Sequence, residues 1–235
     1  MRARLVGSCL LAAAPLLGAV SGAAAETDLA DLVGAFLRTG TEQPPGVVAA
    51  RAYLEPARPT TPPTPQPDIS VVLLPYSAQL DADLNAVKAG LRDSVDAYTR
   101  APGRVETVRV DYERALVAAG GGSLVRHETT DAQGNARLGS LPAGRWLLLA
   151  WRESGHMGKK LKVNEKDARR YPDVPTNVTY SVLTYWKSSL TVGPAETVEV
   201  AITDRNAWMT AGRQENRPPG PPKEAVPSGK TKSSR

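Results

Sequence analysis

The chain has 235 residues, of which 41% are hydrophobic and 5% aromatic, with 29 basic side chains, 24 acidic side chains and one cysteine. This length is enough for one or two domains with a sizeable core. A content of 20 glycines and 20 prolines is too low for a collagen, and one cysteine excludes a disulfide scaffold. The sequence has a single long apolar segment, which excludes a multispanning membrane protein.

Residues 1–25 have the pattern of a secretory signal peptide. They begin with two arginines, continue through an apolar stretch and end in three alanines before Glu26. Cleavage there removes Cys9, so the mature chain has no thiol for a disulfide or a cysteine-ligated metal. The sequence therefore predicts an exported protein, periplasmic or extracellular, with no transmembrane span after cleavage.

The basic character of the chain is concentrated near its C-terminus. Residues 213–235 hold six basic and two acidic side chains, whereas residues 26–212 are close to neutral. No nucleic-acid-binding surface is therefore indicated. The Pro- and Gly-rich composition of this C-terminal segment predicts disorder. The basic run at 159–170 is interpreted as a solvated loop, with contact to an anionic envelope polymer as the alternative.

The first half of the chain is predicted to begin with a short helix and two strands. Apolar residues at helical spacing indicate a helix over residues 27–40, within a helix-and-linker segment at 26–45. Strands are predicted at Gly46–Leu54 and Asp68–Pro75. The segment between them, 55–67, holds six prolines and is predicted to be a stiff surface loop.

Residues 77–119 change to a helical period. Apolar residues recur every three or four positions on both sides of Pro102-Gly103, which is expected to interrupt the helix. Two antiparallel helices would bury these stripes against each other. Three glycines, Gly120 to Gly122, are expected to end the second helix rather than to bind phosphate.

After the glycines, the period-two pattern of strands returns. Residues 124–130 and 136–141 are predicted to form a hairpin around a turn at Asp131–Asn135, and Pro142–Gly144 to form the next corner. Trp146–Trp151 is apolar on both faces, which indicates a central strand. Further strands are predicted at 178–187, 190–192 and 197–203. About seven short strands favour a β-sandwich, carrying the helical hairpin as an insertion.

The segment Thr130–Ala150, TDAQGNARLGSLPAGRWLLLA, resembles carboxypeptidase regulatory-like domains. The shared pattern is the T-D-x-x-G turn, followed by P-x-G and an aromatic residue before an apolar strand. The resemblance implies a transthyretin-like Greek-key sandwich, a fold also shared with some starch-binding modules. It implies no catalytic residue, and the helical hairpin at 77–119 is a departure from the compact family module.

Signatures of catalysis and of metal or cofactor binding are absent from the sequence. Ser140 lies within a predicted strand and outside any G-x-S-x-G turn. The two histidines, His127 and His156, lack metal-ligand spacing, although a site that combined them with Asp131 or Glu153 is geometrically conceivable. We therefore predict no enzymatic activity, no metal and no cofactor.

Three tryptophans are the candidate ligand-binding residues. An exposed indole offers an apolar face on which a sugar ring can stack. Because the chain has one phenylalanine, its tryptophans are also needed for the core, and Trp146 opens the apolar strand. The remaining candidates are Trp151, Trp186 and Trp208.

The sequence predicts an exported, noncatalytic β-sandwich module that acts by binding a protein or a cell-envelope component, including polysaccharide. The alternative is a carbohydrate-binding module that uses exposed tryptophans.

Overall fold

The computed structural model describes residues 29–58, 60–156 and 179–215. Within these ranges the chain forms three α-helices, which are α1 (Leu29–Glu42), α2 (Ala78–Ala89) and α3 (Val95–Ala118). The strands in the same ranges are β1 (Gly46–Leu54), β2 (Thr64–Pro65), β3 (Ser70–Pro75), β4 (Arg126–Thr129), β5 (Asn135–Leu141), β6 (Gly144–His156), β7 (Thr179–Val192), β8 (Thr197–Thr203) and β9 (Met209–Glu215).

The strands form two sheets. In the four-stranded sheet, β1 pairs with β2 and β5 in antiparallel fashion and with β8 in parallel. The five-stranded sheet is antiparallel throughout, with the order β4-β3-β6-β7-β9. The predicted class, a mainly β sandwich with a helical insertion, is confirmed.

The five-stranded sheet lies between the four-stranded sheet and the helices α2 and α3. On β7, the Nε1 of Trp186 donates to the carbonyl of Thr203 in β8 at 2.7 Å. The next side chain, Lys187, projects to the opposite face and contacts Asp81 of α2. Because this sheet is covered on both faces, the central strand β6 is apolar on both, as its sequence indicated.

The helical hairpin breaks at a different place from the one predicted. The chain leaves α2 through a 3-10 turn at Gly90–Arg92, and α3 then runs without a break through Pro102. The Oγ of Ser94 accepts a hydrogen bond from the amide of Ala97 at 3.0 Å and caps the new helix. The predicted interruption at Pro102 is wrong because this residue removes only one backbone donor, while its ring is buried against the sheet.

The three glycines after α3 end the helix, as predicted. The amide of Gly120 donates to the carbonyl of Val117 at 3.0 Å, and the amide of Gly121 donates to that of Leu116 at 2.7 Å. With Gly120 at a φ of +82°, this is a Schellman motif. Gly121 also lies close to Val33 of α1, so that a Cβ at Gly121 would be only 2.7 Å from the Val33 side chain.

The predicted hairpin around Asp131 is wrong, although the turn itself forms. Asp131 Oδ1 accepts from the amides of Gln133 and Asn135 at 2.9 and 2.8 Å. However, β4 pairs with β3 in one sheet and β5 pairs with β1 in the other. The turn is therefore an arch between the two layers, since a turn fixes the reversal of the chain but not the partner of each strand. Pro142–Gly144 returns the chain to the five-stranded sheet, as expected for a corner.

Several boundaries also differ from the predicted ones. The segments predicted as separate strands at 178–187 and 190–192 form one continuous strand, β7. The structure also contains a strand that the sequence pattern does not predict, β9, which includes Arg213 from the segment predicted to be disordered. Pairing with the long β7 provides the backbone partners of β9. The signal-peptide segment, the basic run at 159–170 and residues 216–235 lie outside the described residues. Among the helices of the described ranges, none has the length and apolar character needed to cross a membrane.

Candidate functional site

The three candidate tryptophans lie in different environments. Trp186 is only 8% exposed and faces the four-stranded sheet, so its ring belongs to the core. Trp151 is partly buried on the opposite, helical face of the five-stranded sheet, and Trp208 is partly buried in the loop before β9. The structure does not bring the three together, and ligand binding by them stays a prediction.

Two cationic side chains lie near the ring of Trp208. The ammonium groups of Lys88 and Lys187 lie 5.5 and 5.0 Å from its ring centroid. Lys187 also donates to Asp81 at 2.5 Å and to Asn85 at 2.7 Å, and its side chain is only 10% exposed. This cluster joins α2 to the sheet, which gives Trp208 a structural role.

Trp151 lines a cavity of about 140 Å³ between α3 and the five-stranded sheet, which we name the α3 cleft. Its floor is apolar and buried, and is formed by Val105 of α3, Leu149 of β6 and Leu183 of β7. Tyr185 lies beside Trp151, because the two residues are directly paired across β6 and β7. The cleft thus combines an apolar floor with two aromatic side chains, which is typical of small-ligand sites.

The rim of the α3 cleft is charged and open to solvent. The guanidinium of Arg213 lies 3.7 Å from a carboxylate oxygen of Glu106 and 3.7 Å from one of Glu153. Their side chains are 40%, 61% and 41% exposed, respectively, so a ligand can reach them. The other carboxylate oxygen of Glu153 accepts a hydrogen bond from Ser181 at 2.5 Å, which fixes its orientation.

Next to this rim, Arg109 forms a second charged group with Glu113 and His127. Its guanidinium lies 5.2 Å from the ring centroid of Trp151 and donates to Glu113 at 2.5 Å. Glu113 also lies 3.5 Å from Nε2 of His127, on the edge strand β4. A further cavity, of about 340 Å³, is lined by His127, Thr129 and Trp151. Trp151 is therefore shared by two neighbouring cavities.

Tyr185 supplies the cleft with a neutral phenol. Burial is the largest cause that raises its pKa to about 12, and the carboxylates of Glu106 and Glu153 act in the same direction against the guanidinium of Arg213. The hydroxyl therefore stays protonated at neutral pH. Tyr112, which donates to the carbonyl of Pro75 at 2.9 Å, also has its pKa raised by burial.

The structure also places the residues considered for metal binding and catalysis. Asp131 is engaged in the arch turn and Glu153 in the cleft rim, so neither forms a cluster with His127. Within residues 29–58, 60–156 and 179–215, no group of three or more metal-ligating side chains occurs. Ser140 lies in β5, and the side chain of His156 lies outside the described residues.

Sequence reasoning missed most of the cleft because its residues come from four separate elements. Glu106 and Arg109 belong to α3, Glu153 to β6, Tyr185 to β7 and Arg213 to the unpredicted β9. One local signal was available, since charged residues at positions 106, 109 and 113 share one face of a helix. That pattern alone does not indicate which sheet residues the face meets.

Comparison with models of known protein families finds none that matches this chain, and comparison with curated proteins finds none either. Among solved structures, the chain is similar to a Pseudomonas aeruginosa protein proposed to bind carbohydrate, at 16% identity and a TM-score of 0.38, over 68% of this chain and 89% of that one. It is also similar to a minor pilin of Streptococcus agalactiae, at 13% identity and a TM-score of 0.27, over 75% and 99% of the two chains.

A third similar structure is the pilus backbone protein of Streptococcus pneumoniae, at 12% identity and a TM-score of 0.24. The similarity covers 68% of this chain and 41% of the pilus protein. These similarities do not assign the chain to a family.

Proposed function

We propose that the protein is a noncatalytic binding module that holds a polar group of a cell-envelope component in the α3 cleft. The observation that carries this proposal is the composition of the cleft, in which a buried apolar floor and two aromatic rings lie beneath an exposed rim of charged side chains. Apolar contact gives such a site affinity, and a few placed polar groups give it orientation and specificity.

Binding rather than catalysis is supported by the pairing of the polar groups. Arg109 is bound to Glu113, Arg213 bridges Glu106 and Glu153, and Ser181 donates to Glu153. Charge pairs of this kind orient a ligand, whereas a nucleophile requires an adjacent base that takes its proton. Ser181 lies against a carboxylate, but it is only 3% exposed, which keeps its hydroxyl from a ligand in solvent.

We further propose membership of the carboxypeptidase regulatory-like domains, because residues of the shared pattern have structural roles here. Thr130 Oγ1 accepts from the amide of Ile69 at 3.0 Å and donates to Gln66 at 2.9 Å. Asp131 holds the arch turn, and Gly134 adopts a φ of +78°. Trp146 at the end of the pattern enters the core.

Export is part of the proposal and rests on the pattern of residues 1–25. If the leader is cleaved after the third alanine, the mature protein begins at Glu26. Intact-mass measurement and N-terminal sequencing of protein purified from the cell envelope or the medium test this directly. A chain that retains Met1 and Cys9 in those fractions would contradict export by a cleaved signal peptide.

The function is tested by calorimetric titration of the exported chain with soluble fragments of envelope polysaccharides. We expect Trp151→Leu to weaken binding by about fivefold to thirtyfold, because it removes an aromatic wall of the cleft worth about 1–2 kcal/mol. Trp208→Leu is the matched control, since Trp208 is also a partly buried tryptophan on the helical side. Urea unfolding of both variants checks that each remains folded.

The titration also separates this proposal from the alternative that stacking tryptophans bind carbohydrate elsewhere. Binding that survives Trp151→Leu but is lost in Trp208→Leu would place the site at the Lys88 and Lys187 cluster and contradict the α3 cleft. Absence of binding to every fragment would contradict the proposed function for these ligands.

A further inference from the structure

The charges around the α3 cleft do not balance. Arg109 and Glu113 form one closed pair, with an N–O distance of 2.5 Å and side chains that are 15% and 19% exposed. The remaining guanidinium, that of Arg213, faces two carboxylates, Glu106 and Glu153. Among the residues that the structure describes, one positive and two negative charges therefore lie at the mouth of the cleft, which gives this part of the chain a local excess of one negative charge.

The geometry at Arg213 leaves these carboxylates open to another cation. Charge-assisted N–H to O contacts are about 2.7–2.9 Å long, whereas both contacts of Arg213 measure 3.7 Å. Glu106 is the most exposed of the three side chains, at 61%. A cation that enters the cleft can thus approach Glu106 and Glu153 more closely than Arg213 does.

The aromatic lining also favours a positive charge. The face of an indole or phenol ring is electronegative and attracts ammonium and guanidinium groups within about 6 Å. Trp151 already has Arg109 at 5.2 Å, and Tyr185 is a neutral phenol beside the two carboxylates. Of the two guanidiniums that line the described cleft, that of Arg109 is paired with Glu113 and that of Arg213 is offset by two carboxylates, so neither favours an anionic ligand.

The size of the cleft fits a small organic cation. Its volume of about 140 Å³ is close to that of an engineered protein cavity of about 150 Å³ that binds benzene. We infer that the α3 cleft is specific for a protonated primary amine, whose ammonium group binds between Glu106 and Glu153 while its carbon skeleton lies on Trp151 and Tyr185. This inference rests on the proposed function and names the ligand class of the same site.

Three hexose derivatives that differ in charge test the inference. Glucosamine carries an ammonium group at neutral pH, N-acetylglucosamine is neutral and glucuronate is anionic. In calorimetric titrations of the exported chain at low ionic strength, we expect glucosamine to bind about twofold to fivefold more tightly than N-acetylglucosamine, the range for a solvent-screened ion pair, and glucuronate to bind most weakly.

Two charge-matched variants of α3 identify the carboxylate. Glu106→Gln should reduce the affinity for glucosamine by about twofold to fivefold and leave that for N-acetylglucosamine unchanged. Asp111→Asn makes the same change of charge on the same helix, but Asp111 pairs with Arg114 and does not line the cleft. It should therefore leave both affinities unchanged.

The outcomes separate the inference from the proposed function. Equal affinity for all three sugars, or equal losses in Glu106→Gln and Asp111→Asn, would overturn specificity for an amine and leave a binding cleft in place. If none of the three sugars and no envelope fragment shows binding that depends on Trp151, the proposed function fails as well.

Discussion

Replacing Trp146 by alanine is expected to lower the free energy of unfolding by about 3–5 kcal/mol, the range for deletion of a fully buried aromatic side chain. Trp146 has no exposed surface and packs edge-to-face against Phe36 of α1, with a centroid distance of 4.9 Å. Its Nε1 donates to the carbonyl of Pro142 at 3.1 Å. The variant therefore loses apolar packing, the anchor of α1 and a buried hydrogen bond together.

Urea unfolding followed by circular dichroism measures this loss. Trp208→Ala serves as the control, because Trp208 is a partly buried side chain of the same type in a loop. We expect a smaller decrease there. A decrease in the Trp146 variant no larger than that in the control would contradict the position of Trp146 at the centre of the core.

The second large effect is expected at Gly134, in the arch between the sheets. Its φ is +78°, where an alanine costs about 1–3 kcal/mol in backbone strain alone. A Cβ at this position would also overlap the carbonyl oxygen of Ala52, which accepts from the amide of Gln66 at 3.0 Å. Gly134→Ala should therefore lower the midpoint of urea unfolding strongly.

Gly139 provides a matched control for this substitution. It lies in β5, five residues further along, where an added Cβ would have nothing within 4 Å. Gly139→Ala should leave the unfolding midpoint nearly unchanged or raise it slightly, since alanine restricts the unfolded chain. Equal midpoints for the two variants would contradict the left-handed conformation at Gly134 and the close approach of the arch to β1.

Features that depend on a few adjacent residues were predictable from the sequence. The glycines after α3 form the expected helix end, Asp131 and Gly134 form the expected turn, and the apolar strand from Trp146 is central. In each case, the backbone conformation or the burial of both faces restricts which residue types can occupy the positions. The local structure can therefore be inferred from the residue types.

Features that depend on distant partners were not predictable in this way. The same turn chemistry serves a hairpin and an arch, so the residues around Asp131 do not reveal that β4 and β5 belong to different sheets. Pro102 disfavours a helix locally, yet α3 is continuous through it and the Pro102 ring is buried against the sheet. That contact with the sheet cannot be inferred from the residues next to Pro102. The α3 cleft is an extreme case, because a helix and three strands supply its charges and rings.

The parallel pairing of β1 with β8 has a consequence for how the chain folds. Val48 lies opposite Val198, 150 residues later in the sequence. Such pairing raises the contact order of the fold, and high contact order slows folding because the entropy of closing a long loop is lost before the contacts form. The four-stranded sheet therefore cannot be completed during synthesis until β8, which ends at Thr203, has emerged from the ribosome.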